Sequence, residues 1–371
     1  MAKNVISLIH MREHFHVPDN YFLSHSVGCL PKVSQAAMTA GFFGPWMTGE
    51  NWALWMEELE RFRSGVSKLL NVKAAEICPQ NNISSALTKI LFSLPKPDGR
   101  NVILLSEMDF PTIGFVAKQA ERLGYHLQFI EGDPSEFHAW EAAINDQSAF
   151  VLVTHALSNT SHILPVEQIC TKAKIAGAIS IVDVAQSLGA VPVDAAKWDA
   201  DFVIGTGVKF LCFGPGACFL YASESIFPKC HPVDVGWFSH ENPFEMDIQN
   251  FRYASDAMRF FGGTPSPAPY ILANSAMEVW RELGLDTAQK CIQSHLAKLH
   301  EVLPKGTAVS PSELNKRGGT LVVANAHGDK IREQLLANSI KFDQRKEGYR
   351  FSVHGYTCST EIERLAKILS Q

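Results

Sequence analysis

The sequence predicts an α/β protein in which strands and helices alternate. Short apolar runs are separated by stretches whose apolar residues recur at helical spacing, which is typical of strand-helix-strand units. One such unit covers residues 181–216, where apolar runs at 178–182 and 202–204 each lead into a turn. In open α/β sheets ligands bind at the carboxyl ends of the strands, so these two turns predict a shared site.

An acid and a lysine follow these two runs. Asp183 ends the first, where a lone carboxylate costs desolvation energy unless a cation pairs with it. Lys209 follows the second, within a glycine-containing stretch that permits close backbone approach to a ligand. The pair fits pyridoxal phosphate, which forms an imine with a lysine and pairs its ring nitrogen with an acid. For an isolated pair, a turn aspartate and a solvated lysine would be the simpler interpretation.

Length, composition and charge limit the function classes. The 371 residues suffice for two domains, and 46% hydrophobic with 19% charged residues is ordinary for a globular protein. A net charge of -5 favours neither nucleic acid nor an anionic membrane as partner, so a small molecule is expected. The eight cysteines show no metal-ligand spacing, and neither a secretory signal nor a membrane-spanning run is recognised. We therefore expect a cytoplasmic protein without a metal site.

A phosphate site is indicated near residues 77–91. An apolar strand is followed by the run NNISS (residues 81–85) and then by an apolar helix. Several backbone N–H groups therefore meet at a helix N-terminus, which attracts anions. An ordinary Asn or Ser helix cap explains the same residues equally well.

Residues 182–221 resemble the cofactor-binding core of the class V aminotransferase family, in the run VDVAQSLGAVPVDAAKWDADFVIGTGVKFLCFGPGACFLY. This family contains cysteine desulfurases, serine-glyoxylate type transaminases and kynureninases. The resemblance implies a fold type I pyridoxal-phosphate enzyme, whose large domain has a mostly parallel seven-stranded sheet and whose smaller C-terminal domain is α+β. It also implies that Asp183 pairs with the pyridine nitrogen and that Lys209 holds the cofactor as an imine. Gln186 would then lie near the phenolic oxygen, and Thr206 would bind the phosphate.

Two upstream segments and one loop extend the resemblance. Ile83 and Ser84 fall on the contact positions of the family's phosphate-binding turn. Phe110, in the run DFPT, matches the aromatic residue that stacks on the pyridine ring. Asn159 matches the residue that hydrogen-bonds the phenolic oxygen, although Ser161-His162 replaces the usual glycine of that loop.

Four further residues complete the implied site. Trp237 and Thr264, in the runs VGWFSHE and FGGTP, match residues that reach the cofactor phosphate, with Thr264 supplied by a second subunit. Arg350, in YRFSVHGYT, matches the arginine that binds the substrate carboxylate. His25 takes the place where this family often has a polar residue facing the cofactor, which implies a contact with the substrate; for a lone histidine a structural role is the alternative.

The resemblance covers about residues 20–369 and suggests three parts: an N-terminal arm (1–20), a large cofactor-binding domain (21–267) and a small C-terminal domain (268–371). Helical spacing predicts helices over 49–70, 274–283, 287–303 and 360–369. Because fold type I sites lie at subunit interfaces, we expect a homodimer with shared active sites.

The resemblance implies chemistry on a small amino acid through an external aldimine, with Lys209 as the base at Cα. We expect amino-group transfer, because Val208 stands where kynureninases have a tyrosine and Gln186 where they usually carry a histidine. The overall likeness is nonetheless closest to kynureninases, so hydrolysis of the Cβ–Cγ bond of kynurenine is the alternative. A non-catalytic protein that binds pyridoxal phosphate is a third hypothesis. Cys358 does not match the cysteine-bearing segment of desulfurases, and the sequence identifies no substrate.

Overall fold

Strands and helices alternate through most of the chain, for which a computed structural model describes residues 10–96, 99–325 and 328–371. Residues 1–9 of the predicted N-terminal arm lie outside these ranges. The strands are β1 (Phe15–His16), β2 (Leu30–Pro31), β3 (Ile77–Gln80), β4 (Val102–Leu105), β5 (His126–Phe129), β6 (Ser148–Thr154), β7 (Ile179–Asp183), β8 (Phe202–Thr206), β9 (Cys218–Ala222), β10 (Thr320–Val323), β11 (Asp343–Gln344) and β12 (Tyr349–Ser352). The helices are α1 (Ser34–Met38), α2 (Gly44–Thr48), α3 (Trp52–Leu70), α4 (Ile83–Leu91), α5 (Pro111–Gln119), α6 (Phe137–Ala143), α7 (Val166–Ala176), α8 (Ala195–Trp198), α9 (Pro267–Leu283), α10 (Leu285–Val302), α11 (Gly328–Ala337) and α12 (Ser359–Leu369).

The large sheet has seven strands in the order β3-β9-β8-β7-β6-β4-β5. The strands from β8 to β5 run parallel, whereas β9 is antiparallel to both of its neighbours, β3 and β8. Strand β6 is buried along its whole length, as expected for a parallel strand covered on both faces. The predicted α/β class and the mostly parallel seven-stranded sheet are therefore confirmed.

Register brings the ends of three central strands to the same edge of this sheet. Asp183, the last residue of β7, lies opposite Thr154 at the end of β6 and opposite Ile204 in β8. Two residues further along β8, Thr206 ends the strand and leads to Lys209. The acid and the lysine that were predicted to share a site therefore lie at the same edge of the sheet, where the parallel strands end.

The helices follow the predicted spacing, with shifted starts. Helix α3 begins at Trp52 rather than at residue 49, because Gly49 adopts a left-handed conformation with a φ of 81°. Its buried residues Leu59, Phe62 and Val66 recur at helical spacing and face the core. Helix α9 begins earlier than predicted, at Pro267, since proline is well tolerated in the first helical turn.

The C-terminal residues form a second, antiparallel sheet in the order β10-β12-β11. Residues 21 and 23 bridge to residues 341 and 352, so the chain after the N-terminal segment runs beside this small sheet. Phe22 and Phe210 are both fully buried in the hydrophobic cluster that the small sheet shares with α10 and α12. The predicted domain boundaries stay a prediction. No helix among the described residues is long and apolar enough to cross a membrane.

Glu361 ties the N-terminal segment to the last helix. Its side chain is buried and accepts hydrogen bonds from Arg12 Nη1 at 3.0 Å, from the backbone N of Asn20 at 2.8 Å and from the backbone N of Cys358 at 3.0 Å. Arg12 Nη2 and the Cys358 thiol donate to the same carboxylate, so it is well compensated, whereas all these donors would lose their acceptor if it were removed.

We expect Glu361→Ala to lower the free energy of unfolding by about 1–3 kcal/mol, because one guanidinium and two backbone N–H groups lose their acceptor. Urea-induced unfolding measures the change. Glu363→Ala is the matched control on the exposed face of α12 and should change stability by less than about 0.5 kcal/mol. Equal stability of the two variants would contradict the anchoring role.

Candidate active site

A cavity of about 340 Å³ lies where the central strands end. It is lined by seven of the predicted site residues: Ile83, Ser84, Phe110, Asp183, Gln186, Thr206 and Lys209. A larger groove of about 760 Å³ between α3 and α9 contains none of them. The smaller cavity is therefore the candidate active site.

The surroundings of Lys209 favour the neutral form of its amine, which can act as a nucleophile and base. Burial lowers the pKa of Lys209 to about 8; the nearby Asp183 carboxylate opposes this shift, and the Arg350 and Arg345 guanidinium groups add to it. Its Nζ lies 5.9 Å from the centre of the Phe110 ring. An amine with a lowered pKa is partly neutral near pH 7, which is the form that attacks a carbonyl group or removes a proton.

Asp183 presents one free oxygen to the cavity. Burial raises the pKa of Asp183, while the backbone N–H of Ala185, which donates to Oδ1 over 2.8 Å, and the charge of Lys209 counteract that shift. No hydrogen bond within the described chain uses Oδ2 of Asp183. This oxygen is therefore available to a cationic ring nitrogen, whose charge would stabilise the ionised carboxylate.

The N-terminus of α4 offers unpaired donors at another wall of the cavity. Asn82 caps the helix, and its Oδ1 accepts from the backbone N of Ser85 at 2.8 Å. Within the described residues, the backbone N–H groups of Ile83 and Ser84 have no such acceptor. Together with the positive end of the helix dipole they suit a phosphate group.

The residues present fit pyridoxal phosphate. Lys209 can bind its carbonyl carbon, Asp183 its ring nitrogen, and the N–H groups of Ile83 and Ser84 its phosphate. Phe110, at the start of α5, is 41% exposed and offers an aromatic face beside Lys209. When bound, this cofactor accepts the electron pair of a bond broken at the substrate's Cα.

Arg350 and His25 lie next to each other and share one carboxylate, that of Asp343. Arg350 donates from Nε to Asp343 Oδ1 at 2.7 Å, from Nη2 to Asp343 Oδ2, and from Nη1 to the Ser158 carbonyl at 2.7 Å. His25 Nε2 lies 3.1 Å from Asp343 Oδ1, and its Nδ1 lies 2.8 Å from Ser352 Oγ. Burial would raise the pKa of Asp343, but His25 and Arg350 hold it well below its ordinary value.

These contacts leave Arg350 partly available. A guanidinium has five N–H donors, and the contacts with Asp343 and Ser158 use three of them. The remaining two have no partner among these contacts, but Arg350 is buried, and neither it nor His25 is among the residues that line the cavity. Gln186 is connected to the same group, since its Nε2 donates to the His25 carbonyl at 3.2 Å.

Trp237 and Thr264 lie outside the Lys209 cavity. Trp237 Nε1 donates to Thr264 Oγ1 at 3.2 Å. Thr264 lines a separate polar cleft of about 140 Å³ that also contains Lys89 and Asp234. Asn81 lines both this cleft and the main cavity, so the two are neighbours at the start of α4.

The sequence did not indicate Asp343, Ser158 or Arg345. Asp343 and Arg350 are register partners in the antiparallel pair β11-β12, so they face each other across the strands. Gly348, between these two strands, was the available signal for a hairpin. Arg345 Nη1 donates to Asn159 Oδ1 at 2.7 Å, and Asn159 follows the lining residue Ser158 but is not itself among the residues that line the cavity.

A sequence model of the aminotransferase class-V family matches residues 50–365 of this chain. The chain belongs to this family. Its members depend on pyridoxal phosphate, so the cofactor predicted from Asp183 and Lys209 is confirmed, as is the resemblance to the class V family.

Several relatives of this class V enzyme carry the name kynureninase. The kynureninase of Deinococcus radiodurans is 28% identical over 91% of this chain and 86% of its own length. That of Pseudomonas fluorescens is 25% identical over 98% of this chain and 92% of its own length. The uncharacterised aminotransferase YcbU of Bacillus subtilis is 22% identical over 85% and 84% of the two chains.

Solved structures show the same fold as this class V enzyme. A cysteine desulfurase from Thermococcus onnurineus superposes with a TM-score of 0.83 at 22% identity, covering 99% of this chain and 97% of that one. A C-DES variant with glycine covalently linked to its PLP cofactor superposes with a TM-score of 0.85 at 20% identity, covering 97% and 98%. At this identity the likeness establishes the fold type I architecture and not the reaction.

We expect Lys209→Ala to abolish covalent attachment of pyridoxal phosphate, because among the described residues no other lysine lines the cavity. The protein mass after borohydride reduction and the visible absorption spectrum measure attachment. Lys197→Ala, at an exposed lysine of α8, should keep both signals. A full cofactor adduct on the Lys209→Ala protein would show that another residue holds the cofactor.

Proposed function

We propose that this class V enzyme transfers the amino group of a small amino acid. The observation that carries the proposal is the set of titratable side chains that line the cavity: Asp183, Lys209 and Cys218. Burial raises the pKa of Cys218 to about 11, so its thiol stays protonated at neutral pH. Lys209 is then the group able to take a proton from the substrate's Cα and to return it, which amino-group transfer requires.

Val208 supports this choice over hydrolysis. It lines the cavity immediately before Lys209, at the position where kynureninases have a tyrosine. Hydrolysis of a Cβ–Cγ bond requires a proton donor to the oxygen of the Cγ carbonyl group that water attacks. An aliphatic side chain cannot be that donor. The cavity volume of about 340 Å³ also lies near the lower end for ligand sites, roughly 300–1,000 Å³, which favours a small substrate.

Arg350 provides the proposed contact for the substrate carboxylate. Its position is held by Asp343 and by the Ser158 carbonyl, and Ser158 itself lines the cavity. A guanidinium held on two sides loses little conformational entropy when it binds a carboxylate. His25, which contacts Asp343 from the other side, would support this arrangement rather than touch the reacting atoms.

Hydrolysis of kynurenine is the second candidate, and it is favoured by the relatives that are named kynureninase. Two of the three relatives described above are kynureninases, and the one with the higher identity covers 91% of this chain. In that reaction Lys209, Asp183 and Arg350 would keep the same roles. The carbonyl oxygen of the group that water attacks would need another proton donor in place of the missing tyrosine.

The two candidates are distinguished by adding alanine, serine, cysteine and kynurenine separately to the cofactor-loaded enzyme. Amino-group transfer predicts release of an oxo acid and conversion of the cofactor to its amine form. Hydrolysis predicts anthranilate and alanine from kynurenine with the cofactor unchanged. The Lys209→Ala protein serves as the inactive control, and anthranilate formation as the main reaction would refute the proposal.

We also infer that the functional unit is a homodimer. Large apolar side chains are exposed on one region that adjoins Trp237, whose ring lies 5.5 Å from Trp52 and 5.6 Å from Phe244. Met47 is 79% exposed and Ile248 98% exposed, which is unusual for a surface that faces only water. The ring contacts of Trp237 join two chain segments, residues 43–54 and 244–251, whose exposed apolar side chains are Phe43, Trp46, Met47, Trp52, Leu54, Phe244, Met246, Ile248 and Phe251. A second copy on this surface would bring its own Trp237 and Thr264 to the neighbouring phosphate end.

Mixed dimers test whether Thr264 acts across the interface. We expect Thr264→Ala alone to weaken cofactor binding, because a hydroxyl donor to the phosphate is lost. A mixture of Thr264→Ala and Lys209→Ala chains then forms heterodimers in which one site has both residues, and activity at limiting cofactor returns. If Thr264 serves its own chain, no mixed dimer has an intact site and activity stays low. Sedimentation velocity shows that the dimers form.

A cytoplasmic location is part of the same proposal. All eight cysteines are unpaired, and six of them are buried. Thiols persist in reducing compartments, which supports this location. Fractionation of the source cells would check it, and recovery of the protein from an oxidising compartment would contradict it.

A further inference from the structure

Arg345 lies beside the cavity in a position that the small sheet determines. It follows β11, and its backbone N donates to the Gly348 carbonyl at 2.9 Å, which closes the tight connection to β12. Its guanidinium carbon lies 5.6 Å from the centre of the Phe110 ring, and Lys209 Nζ lies 5.9 Å from the same centre. One aromatic ring at the cavity wall is therefore close to two cations.

The contacts of Arg345 are with neutral oxygen atoms. Nη1 donates to Asn159 Oδ1 at 2.7 Å and to Ser158 Oγ at 3.1 Å. Among the described residues no carboxylate lies within ion-pair distance of this guanidinium, in contrast to Arg350, which is paired with Asp343. Arg345 therefore has no direct ion-pair partner among these residues, and Asp343 and Glu347 act on its charge only from a distance.

These contacts determine the orientation of the Asn159 amide. An arginine side chain has donors and no acceptor, so the atom of Asn159 that faces it must be the oxygen. Ser158 Oγ also donates to this oxygen, at 3.3 Å. The amide nitrogen, with its two N–H donors, is thereby turned to the side opposite Arg345. Without these two donors the amide could rotate and present either atom.

We propose that Arg345 is a positioning residue that turns the N–H donors of Asn159 towards the phenolic oxygen of the cofactor. This inference rests on the proposed role of Asn159 and not on which reaction follows. A donor fixed towards that oxygen stabilises its anionic form, and the nearby positive charge acts in the same direction. The cofactor-loaded enzyme should therefore keep this oxygen ionised to a lower pH than a variant without Arg345.

Other charged and titratable groups also act on the cavity, so the test must separate Arg345 from them. They are Asp183 and Cys218 from the large sheet, Lys209 after it, Asp109 before α5, and His25, Asp343, Glu347 and Arg350 around the small sheet. All of them remain in a variant that changes Arg345 alone. A shift in such a variant therefore reports the contribution of Arg345.

The experiment is a pH titration of the visible absorption of the cofactor-loaded enzyme without substrate. We expect Arg345→Leu to raise the midpoint by about one pH unit, which is the order of one charge-assisted hydrogen bond. Arg345→Lys, which keeps a donor and the charge, should restore at least half of the shift. Lys346→Leu, at the exposed neighbouring residue, is the matched control and should titrate as the original protein does.

A double-variant cycle tests whether the effect passes through Asn159. We expect Asn159→Leu to raise the midpoint by itself, and adding Arg345→Leu should then move it little further, because the oriented donor is already gone. If Arg345→Leu shifts the midpoint as much in the Asn159→Leu protein as in the original protein, the positioning role is overturned and the effect is assigned to charge alone. An unchanged midpoint in Arg345→Leu, or no titration in either protein, would also overturn it.

A direct contact between Arg345 and the substrate is the competing explanation. It predicts a raised KM for Arg345→Leu with the titration of the substrate-free enzyme unchanged, which is the opposite pattern. Since both titrations are made without substrate, they hold whether the enzyme transfers an amino group or hydrolyses kynurenine. Failure of the positioning role is thus distinguishable from failure of the proposed reaction.

Discussion

The electrostatic interaction between Asp183 and Lys209 is the constraint on which the rest of the site depends. Each group is removed from bulk water. Burial raises the pKa of Asp183 and lowers the pKa of Lys209, so it favours the neutral form of both. Their mutual attraction offsets part of this cost, and it exists only because β7 and β8 are parallel neighbours that end at the same sheet edge. The sheet register is therefore a requirement of the chemistry as well as of the fold.

Two arginines add positive charge beside the cavity. Asp343 compensates Arg350 and also contacts His25, whereas Arg345 has no carboxylate partner among the described residues. With the α4 N-terminus at another wall, the site is complementary to two anionic groups, a phosphate and a carboxylate. This pattern fits a cofactor and substrate that each bring negative charge, and the two guanidinium groups add to the effect of burial, which is the main cause of the lowered pKa of Lys209.

Relatives and solved structures agree on family and fold but not on reaction. The relatives named kynureninase and the desulfurase structures share one architecture with this chain. Class V enzymes use the same acid and lysine for different bond cleavages, so the choice must come from residues that differ around them. The proposal of amino-group transfer gives this part to Val208, which lines the cavity beside Lys209 and has an aliphatic side chain that cannot donate a proton.

The sequence by itself determined the parts of this protein whose signals are local. Asp183 and Lys209 each follow an apolar run, and the α4 N-terminus follows a strand and a cap, so neighbouring residues sufficed to place them at one edge of an α/β sheet. Only the tertiary structure decided which residues surround them. Arg350 reaches the Ser158 carbonyl and Arg345 reaches Asn159 across chain separations of 192 and 186 residues. Contacts between such distant segments depend on how the small sheet packs beside the large one, and no local pattern encodes that packing.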